Sequence, residues 1–234
     1  ILDRVVSDAL EASILRGIPP RTLAQALSNP EAATTRQLLA PFDGDAVAAG
    51  KALSRYESVR QDRLNLLRTG DPNVGFSRLL SDVTGEIRVR ANRADVELDS
   101  EALGHGGVTS VTRAVLAQRL LNLARITQLL DLAIRSEVRA IHEVRIEQKL
   151  NPRGDDVVLR EWPFTATITG DMASLRPVLA WLTDPENPIP IHHLELQQPP
   201  RTSPLEGMAQ LTVKAASVLV RPDASLNLEQ EEAR

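Results

Sequence analysis

The sequence predicts an α+β protein in which a helical N-terminal region precedes an antiparallel sheet covered by helices. Three observations lead to this prediction. Apolar residues recur at helical spacing through the first third of the chain. Apolar and polar residues alternate in several segments of the last two thirds. One helix–strand pattern also occurs twice in that part, at a constant offset of 50 residues.

The composition is that of a globular protein and excludes several chemistries. Of the 234 residues, 42% are hydrophobic and 25% are charged, which is enough for one sizeable core or two small ones. The chain has no cysteine and therefore no disulfide, zinc–thiolate site or iron–sulfur cluster. A net charge of −4 and an aromatic content of 3% argue against nucleic-acid binding, which uses basic surfaces and stacked aromatic rings.

Residues 1–72 form the predicted helical region. Residues 1–16 carry apolar side chains at helical spacing, and the pair Pro19–Pro20 ends this helix. Two short helical segments follow at 21–28 and 31–40. Both are too short to be stable without packing on another element.

A longer helix is predicted over residues 45–69, because its apolar positions repeat at spacings of three and four. This seam consists of Ala49, Ala52, Tyr56, Val59, Arg63 and Leu66. A seam of about three heptads fits two arrangements. One is a helical hairpin that packs on itself, and the other is a coiled-coil-like stalk that pairs with a second chain. For the stalk, the predicted interface residues are Tyr56, Val59, Arg63 and Leu66.

The last two thirds of the chain contain an internal repeat. The segment Ile141–Gln148 (IHEVRIEQ) aligns with Ile191–Gln198 (IHHLELQQ) without a gap. Three positions are identical, including the pair His142 and His192, and two further apolar positions match in kind. Self-similarity of this sort is typical of a duplicated supersecondary unit.

Each copy reads helix, strand, strand. The predicted elements are a helix at 111–135 with strands at 139–149 and 156–169, and a helix capped by Asp171 with strands at 191–198 and 208–220. Two αββ units related by a pseudo-twofold axis give a ferredoxin-like sandwich over residues 73–222. One face of its sheet is apolar and covered by helices. Residues 75–98 add a helix and an edge strand, and residues 223–234 form an acidic tail.

Two surfaces of this sandwich are candidates for protein contacts. The helix at 111–135 carries Leu121 and Leu129 on a second apolar face, so either the N-terminal helices or a partner subunit must cover it. The last strand, if it lies at the edge of the sheet, offers its backbone to another chain. Its predicted interface residues are Leu211, Val213 and Ala215.

Two groups of residues are candidates for a chemical role. His142 and His192 occupy equivalent strand positions, and neighbouring strands would bring their rings together near Glu143 or Glu195 as a metal site. The favoured interpretation is two histidines at the rim of the core. The segment His105–Gly107 has the composition of an oxyanion loop but lacks a nucleophile motif. We therefore predict no catalytic residues, no metal and no cofactor.

The order of these elements resembles a known family. A helical stalk is followed by the segment FSRLL…VEL at 76–98 and by the strand–turn–helix TATITGDMASLRPVLAWL at 165–182. The strand IHHLEL and the final strand AQLTVKAASVL complete the pattern. Over residues 45–220 the chain looks like the periplasmic region of PilO, the type IV pilus alignment protein, and is similar to GspM of type II secretion.

The resemblance implies a structural assembly protein that is not an enzyme. It implies a periplasmic location, with a membrane anchor before Ile1 that holds the protein at the inner membrane. The implied partners are a second copy of the chain, a PilN-like or GspL-like protein, or both. The alternative is a ferredoxin-like regulatory domain that binds a small ligand. Such domains have a glycine-rich turn between strand and helix, whereas the turn Thr169–Asp171 holds one glycine.

Overall fold

The computed structural model describes residues 2–29, 33–99, 113–146, 159–184, 189–198 and 207–220. The fold is α+β, as the sequence predicts, with helices packed beside a mixed sheet. Seven α-helices are described: α1 Leu2–Ser13, α2 Pro20–Ser28, α3 Ala33–Leu39, α4 Ala46–Thr69, α5 Pro72–Arg93, α6 Arg113–Arg135 and α7 Met172–Leu182. The five strands in those ranges are β1 Glu97–Leu98, β2 Ala140–Ile146, β3 Leu159–Gly170, β4 Ile191–Gln197 and β5 Ala209–Val220.

Aspartate side chains begin three of the helices. Asp45 accepts hydrogen bonds from the amides of Val47 and Ala48 at the start of α4, and Asp71 accepts one from Asn73 at the start of α5. At the start of α7, Asp171 accepts a hydrogen bond from the Ser174 amide at 2.7 Å, which confirms the predicted cap. That bond lowers the pKa of Asp171, because it stabilises the ionised carboxylate.

The strands lie in the order β1-β2-β3-β5-β4. The short strand β1 is parallel to β2, and the other neighbours are antiparallel. One face of the sheet carries buried apolar side chains, such as Val144, Ala166 and Val213, in register across three strands. The other face carries polar residues, including Thr165, Thr212 and Lys214. The helices α6 and α7 pack on the apolar face, as the alternation predicts.

The two halves of the sheet have the same element order and the same irregularity. Each half reads helix, strand, strand, and the second strands, β3 and β5, pair at the centre of the sheet. The register of β2 shifts between Ile141 and Glu143, and that of β4 shifts between Ile191 and His193. The extra residue of each bulge is therefore one of the two histidines that the repeat aligns.

The N-terminal helices pack against this unit. α4 and α5 contact each other, and α1 contacts α4, α5 and α6. Of the two arrangements that the seam allows, the structure therefore shows the helical hairpin, which α4 forms with α5. The N-terminal helices also supply the second cover that the apolar faces of α6 require. No helix within the described ranges combines the length and the apolar character needed to cross a membrane.

Candidate interaction surfaces

The prediction that β5 is an edge strand is wrong. β5 lies between β3 and β4, and its apolar residues Leu211, Val213 and Ala215 are completely buried. The physical reason is that a sheet with one covered face gives its edge strands and its central strands the same apolar–polar alternation. These three side chains therefore belong to the core of this chain.

The seam residues of α4 contact other helices of the same chain. Tyr56 is buried, and its hydroxyl donates to Glu11 Oε1 of α1 at 3.3 Å. Burial raises the pKa of this phenol. Arg63 Nε donates to Asp82 Oδ2 of α5 at 2.7 Å, and this bond raises the pKa of the guanidinium. Val59 and Leu66 are half-buried. The seam thus holds α4 to its neighbours, and a role in binding a second chain stays a prediction.

The predicted residues of α6 lie within the helical layer. Leu129 is completely buried, and Leu121 is half-buried against the same core. Both belong to a helix that contacts α1 and α5 as well as α7 and the sheet. The sequence allows either the N-terminal helices or a partner subunit to cover the second apolar face of α6. In the structure the N-terminal helices cover it.

The described part of the chain places β4 at the edge of the sheet, where its apolar side chains remain exposed. Leu194 is 38% exposed and Leu196 is 44% exposed. They lie opposite Val213 and Leu211 of β5, on the face that helices cover elsewhere. We call Leu194, Leu196 and the outer backbone of β4 the β4 edge surface. The sequence does not single out this position, because His142, Glu143 and Arg145 give β2 a similar mixture of side chains.

The opposite face of β4 is polar. His193 Nε2 lies 3.4 Å from Glu195 Oε2, and Gln197 Nε2 donates to Glu195 Oε1 at 2.7 Å. The bond from Gln197, followed by the contact with His193, lowers the pKa of Glu195, because both stabilise the carboxylate. The strand therefore presents leucines on one side and a carboxylate beside an imidazole on the other.

A buried ion pair and a hydrogen bond from its arginine join three helices. Arg90 of α5 pairs with Asp131 of α6, and both side chains are almost completely buried. Arg90 Nη1 also donates to the Ala12 carbonyl at the end of α1, at 2.8 Å. Arg135 Nη2 lies 2.8 Å from the second carboxylate oxygen of Asp131. We call Arg90, Asp131 and Arg135 the helix clamp. The sequence-based predictions do not include it, although an aspartate within the apolar run of α6 indicates a paired buried charge.

A cleft of about 400 Å³ lies beside the helix clamp, between α1, α6 and the end of α7. Its lining includes the carboxyl groups of Asp8, Glu11 and Asp184 and the guanidinium of Arg125. Burial raises the pKa of both Asp8 and Glu11. Arg125 donates to Gln128 at 3.0 Å. Small-ligand pockets are mostly apolar with a few polar groups, and this charged lining differs from them.

The two repeat histidines lie far apart. β3 and β5 separate β2 from β4, so the expected approach of His142 and His192 does not occur. His142 Nε2 instead lies 2.8 Å from Thr169 Oγ1, and Glu143 pairs with Arg145 at 3.0 Å. Across the described ranges, no three side chains of metal-binding type come together. The segment 105–107 lies outside the described residues.

Comparisons with known proteins give a likeness of fold. No protein-family model matches the sequence, and no curated protein matches it. Among solved structures, the core domain of a protein from Akkermansia muciniphila matches with a TM-score of 0.56 and 12% identity, over 64% of this chain and 89% of that one. A structure of a protein from the same organism without its transmembrane region matches with a TM-score of 0.55 and 12% identity, over 64% and 86%. A third, also from Akkermansia muciniphila, has the same score and identity and is covered over 79% of its length.

These matches define the class of the protein by its architecture. The chain is an α+β protein in which N-terminal helices accompany a mixed sheet, with five strands among the described residues, and it shares this fold with the Akkermansia muciniphila structures. At 12% identity the likeness extends to the fold alone.

Proposed function

We propose that the chain is a structural assembly protein of a bacterial envelope machine, of the type to which PilO and GspM belong. In this proposal it binds other proteins and catalyses no reaction. Its partners are a second copy, a PilN-like or GspL-like protein, or both. It resides in the periplasm and is tethered to the inner membrane.

The observation that carries the proposal is the topology of the sheet. The two helix–strand–strand halves pair through β3 and β5, and each half has its bulge at the aligned histidine. We infer that one αββ unit was duplicated to give a ferredoxin-like sandwich, which is the domain that the resemblance to PilO implies. Equivalent bulges support a common origin, because a bulge is a feature that relatives conserve.

The likeness of fold supports the membrane tether. One of the matching structures is that of a protein whose transmembrane region had been removed. The same architecture thus occurs in a protein that carries a membrane anchor. An exposed apolar edge strand is a further property expected of a protein that binds other chains.

The proposal is tested in the organism that makes the protein. Alkaline phosphatase fused after Val220 is active only outside the cytoplasm, so we expect active fusions in the membrane fraction. Deletion of the gene is expected to abolish surface pili or the secretion of the machine's substrate, and the wild-type gene is expected to restore them. Inactive fusions, or a deletion strain with normal pili and normal secretion, contradict the proposal.

A further inference from the structure

We propose that the β4 edge surface pairs with the same surface of a second copy. The two β4 strands run antiparallel about a twofold axis, with Leu194 of one copy opposite Leu194 of the other. The sheets of the two copies then form one continuous sheet. This inference rests on the proposed role in protein assembly and specifies a partner and a surface for it.

The backbone of β4 is suited to this pairing. An edge strand presents unpaired amide and carbonyl groups, and proteins commonly block such edges with lysine or proline. The sequence of β4, IHHLELQ, contains neither residue. Its bulge lies at the start of the strand, and the register from His193 to Gln197 is regular. With Leu194 at the axis, His193, Leu194 and Glu195 of the two copies can therefore form a regular antiparallel ladder, and the bulged start of each strand lies opposite the end of the other.

The leucines of β4 give the pairing a driving force. Leu194 is 38% exposed, whereas Val144, which occupies the equivalent position of β2, is 2% exposed. Leu196 is 44% exposed on the same face as Leu194. In the proposed register, Leu194 lies beside Leu194 of the second copy, and Leu196 lies diagonally from that same leucine. Removing this apolar surface from water favours association.

The charges of β4 select the register. With Leu194 at the twofold axis, His193 of each copy lies opposite Glu195 of the other, so two imidazole–carboxylate pairs form. A shift that places Glu195 at the axis would set the two carboxylates directly opposite each other, which is unfavourable. A twofold axis requires a self-complementary surface, and the order His193–Leu194–Glu195 has this property.

The absence of cysteine from the sequence allows a direct test of the register. In the proposed pairing, only the residue at the axis lies within disulfide distance of its own copy. Adjacent strands are about 4.8 Å apart, and a residue one position from the axis is roughly 8 Å from its counterpart, beyond the reach of a disulfide. We expect L194C to form a disulfide-linked dimer under mild oxidation. E195C and L196C should remain monomeric on a denaturing gel.

Val89 provides the matched control, because it is 49% exposed on α5. V89C should form no dimer at the protein concentration at which L194C does. A dimer of E195C but not of L194C, or equal dimer formation by V89C and L194C, overturns the proposed pairing.

The reversible dimer is measured by light scattering over a concentration series of the 234-residue chain. E195K replaces two attractive cross-strand pairs by two unfavourable ones and should weaken self-association at least about tenfold. The exchange H193E/E195H retains complementary pairs and should restore it. E57K, at an exposed position of α4, should have no effect.

Each outcome decides for or against the pairing. A wild-type chain that stays monomeric throughout, or a dimer that E195K leaves unchanged, overturns it. Such a result would leave the proposed function standing, because that function depends on location and phenotype. Conversely, an L194C dimer together with normal pili and secretion in the deletion strain would retain the interface and reject the proposed function.

Discussion

The two helix–strand–strand halves of the sheet differ in what surrounds them. In the first half, α6 is packed against α1 and α5 as well as the sheet, and β1 lies beside the outer strand β2. In the second half, no neighbouring strand among the described residues covers β4. β1 pairs with Ala140 and Ile141 at the start of β2, and α6 also contacts this strand. Val144, further along β2, is buried, while Leu194 at the equivalent position of β4 is substantially exposed.

This difference indicates that equivalent positions, such as Val144 and Leu194, have different roles in the two halves. The N-terminal helices and β1 occupy the surface of the first half, so its apolar residues stabilise the monomer. The second half keeps the same alternation of apolar and polar residues without that cover. An apolar pattern retained at an uncovered edge is typical of a surface that another chain covers.

The largest expected effect concerns the helix clamp, which joins α1 and α5 to α6 in the first half of the sheet. D131A leaves Arg90 buried without its carboxylate partner and should lower the free energy of unfolding by about 3–5 kcal/mol in urea titrations. R135A, which removes a partner that is half exposed, should cost less than about 1 kcal/mol. Equal losses for the two variants would show that the clamp does not hold α1 and α5 to α6.

A smaller effect is expected from one substitution made in both halves. I141A removes a completely buried side chain and should cost about 2–5 kcal/mol of unfolding free energy. Ile191, at the equivalent position of β4, is only partly buried, so I191A should cost less than about half as much. Urea titrations at a concentration that keeps the chain monomeric measure both values. Equal losses of unfolding free energy in I141A and I191A would contradict the claim that the first half of the sheet is more deeply buried than the second.

The smallest effect concerns Glu11, which lies in α1 against the first half. Burial, followed by repulsion from Asp8, raises the pKa of Glu11 above its ordinary value of 4.5. The folded state thus holds this proton more tightly than the unfolded state. The stabilisation due to protonation is complete below pH 4.5 and is lost as the pH rises through the raised pKa.

Replacement by glutamine tests this dependence. E11Q keeps an acceptor for the Tyr56 hydroxyl but cannot ionise, so it should be more stable than the wild type at pH 7 by up to about 1 kcal/mol. The difference should vanish below pH 4.5. Thermal unfolding across this range is the measurement, with E57Q on the exposed side of α4 as the control. A stability gain at pH 4 as large as that at pH 7 would contradict the prediction.

The sequence predicts the elements well because their signals are local. The spacing of apolar residues predicts a helix over residues 45–69, and α4 spans Ala46–Thr69. The repeat likewise predicts four strands in two pairs. The order of strands in the sheet is not local, and the alternation of β5 is the same at an edge or at the centre. For this reason the predicted edge, and with it the predicted interface residues Leu211, Val213 and Ala215, lies on the wrong strand.

The partners of buried charged residues are likewise not predictable from local sequence, as the helix clamp shows. Asp131 stands out in the apolar run of α6, but its partner Arg90 comes from another helix 41 residues earlier. The chain holds many arginines, and the sequence does not indicate which of them reaches Asp131. The exposed leucines of β4 are recognisable only when the strand order and the helical cover are both known.

The packing of α1 on α6 also has a consequence for the time course of folding. α1 precedes its main neighbour, α6, by roughly a hundred residues along the chain. Contacts of such large sequence separation form slowly, because a long loop must close first. The apolar side of α1 therefore stays exposed until α6 has formed and packed on it. A chaperone that binds α1 during this interval would raise the yield of native protein.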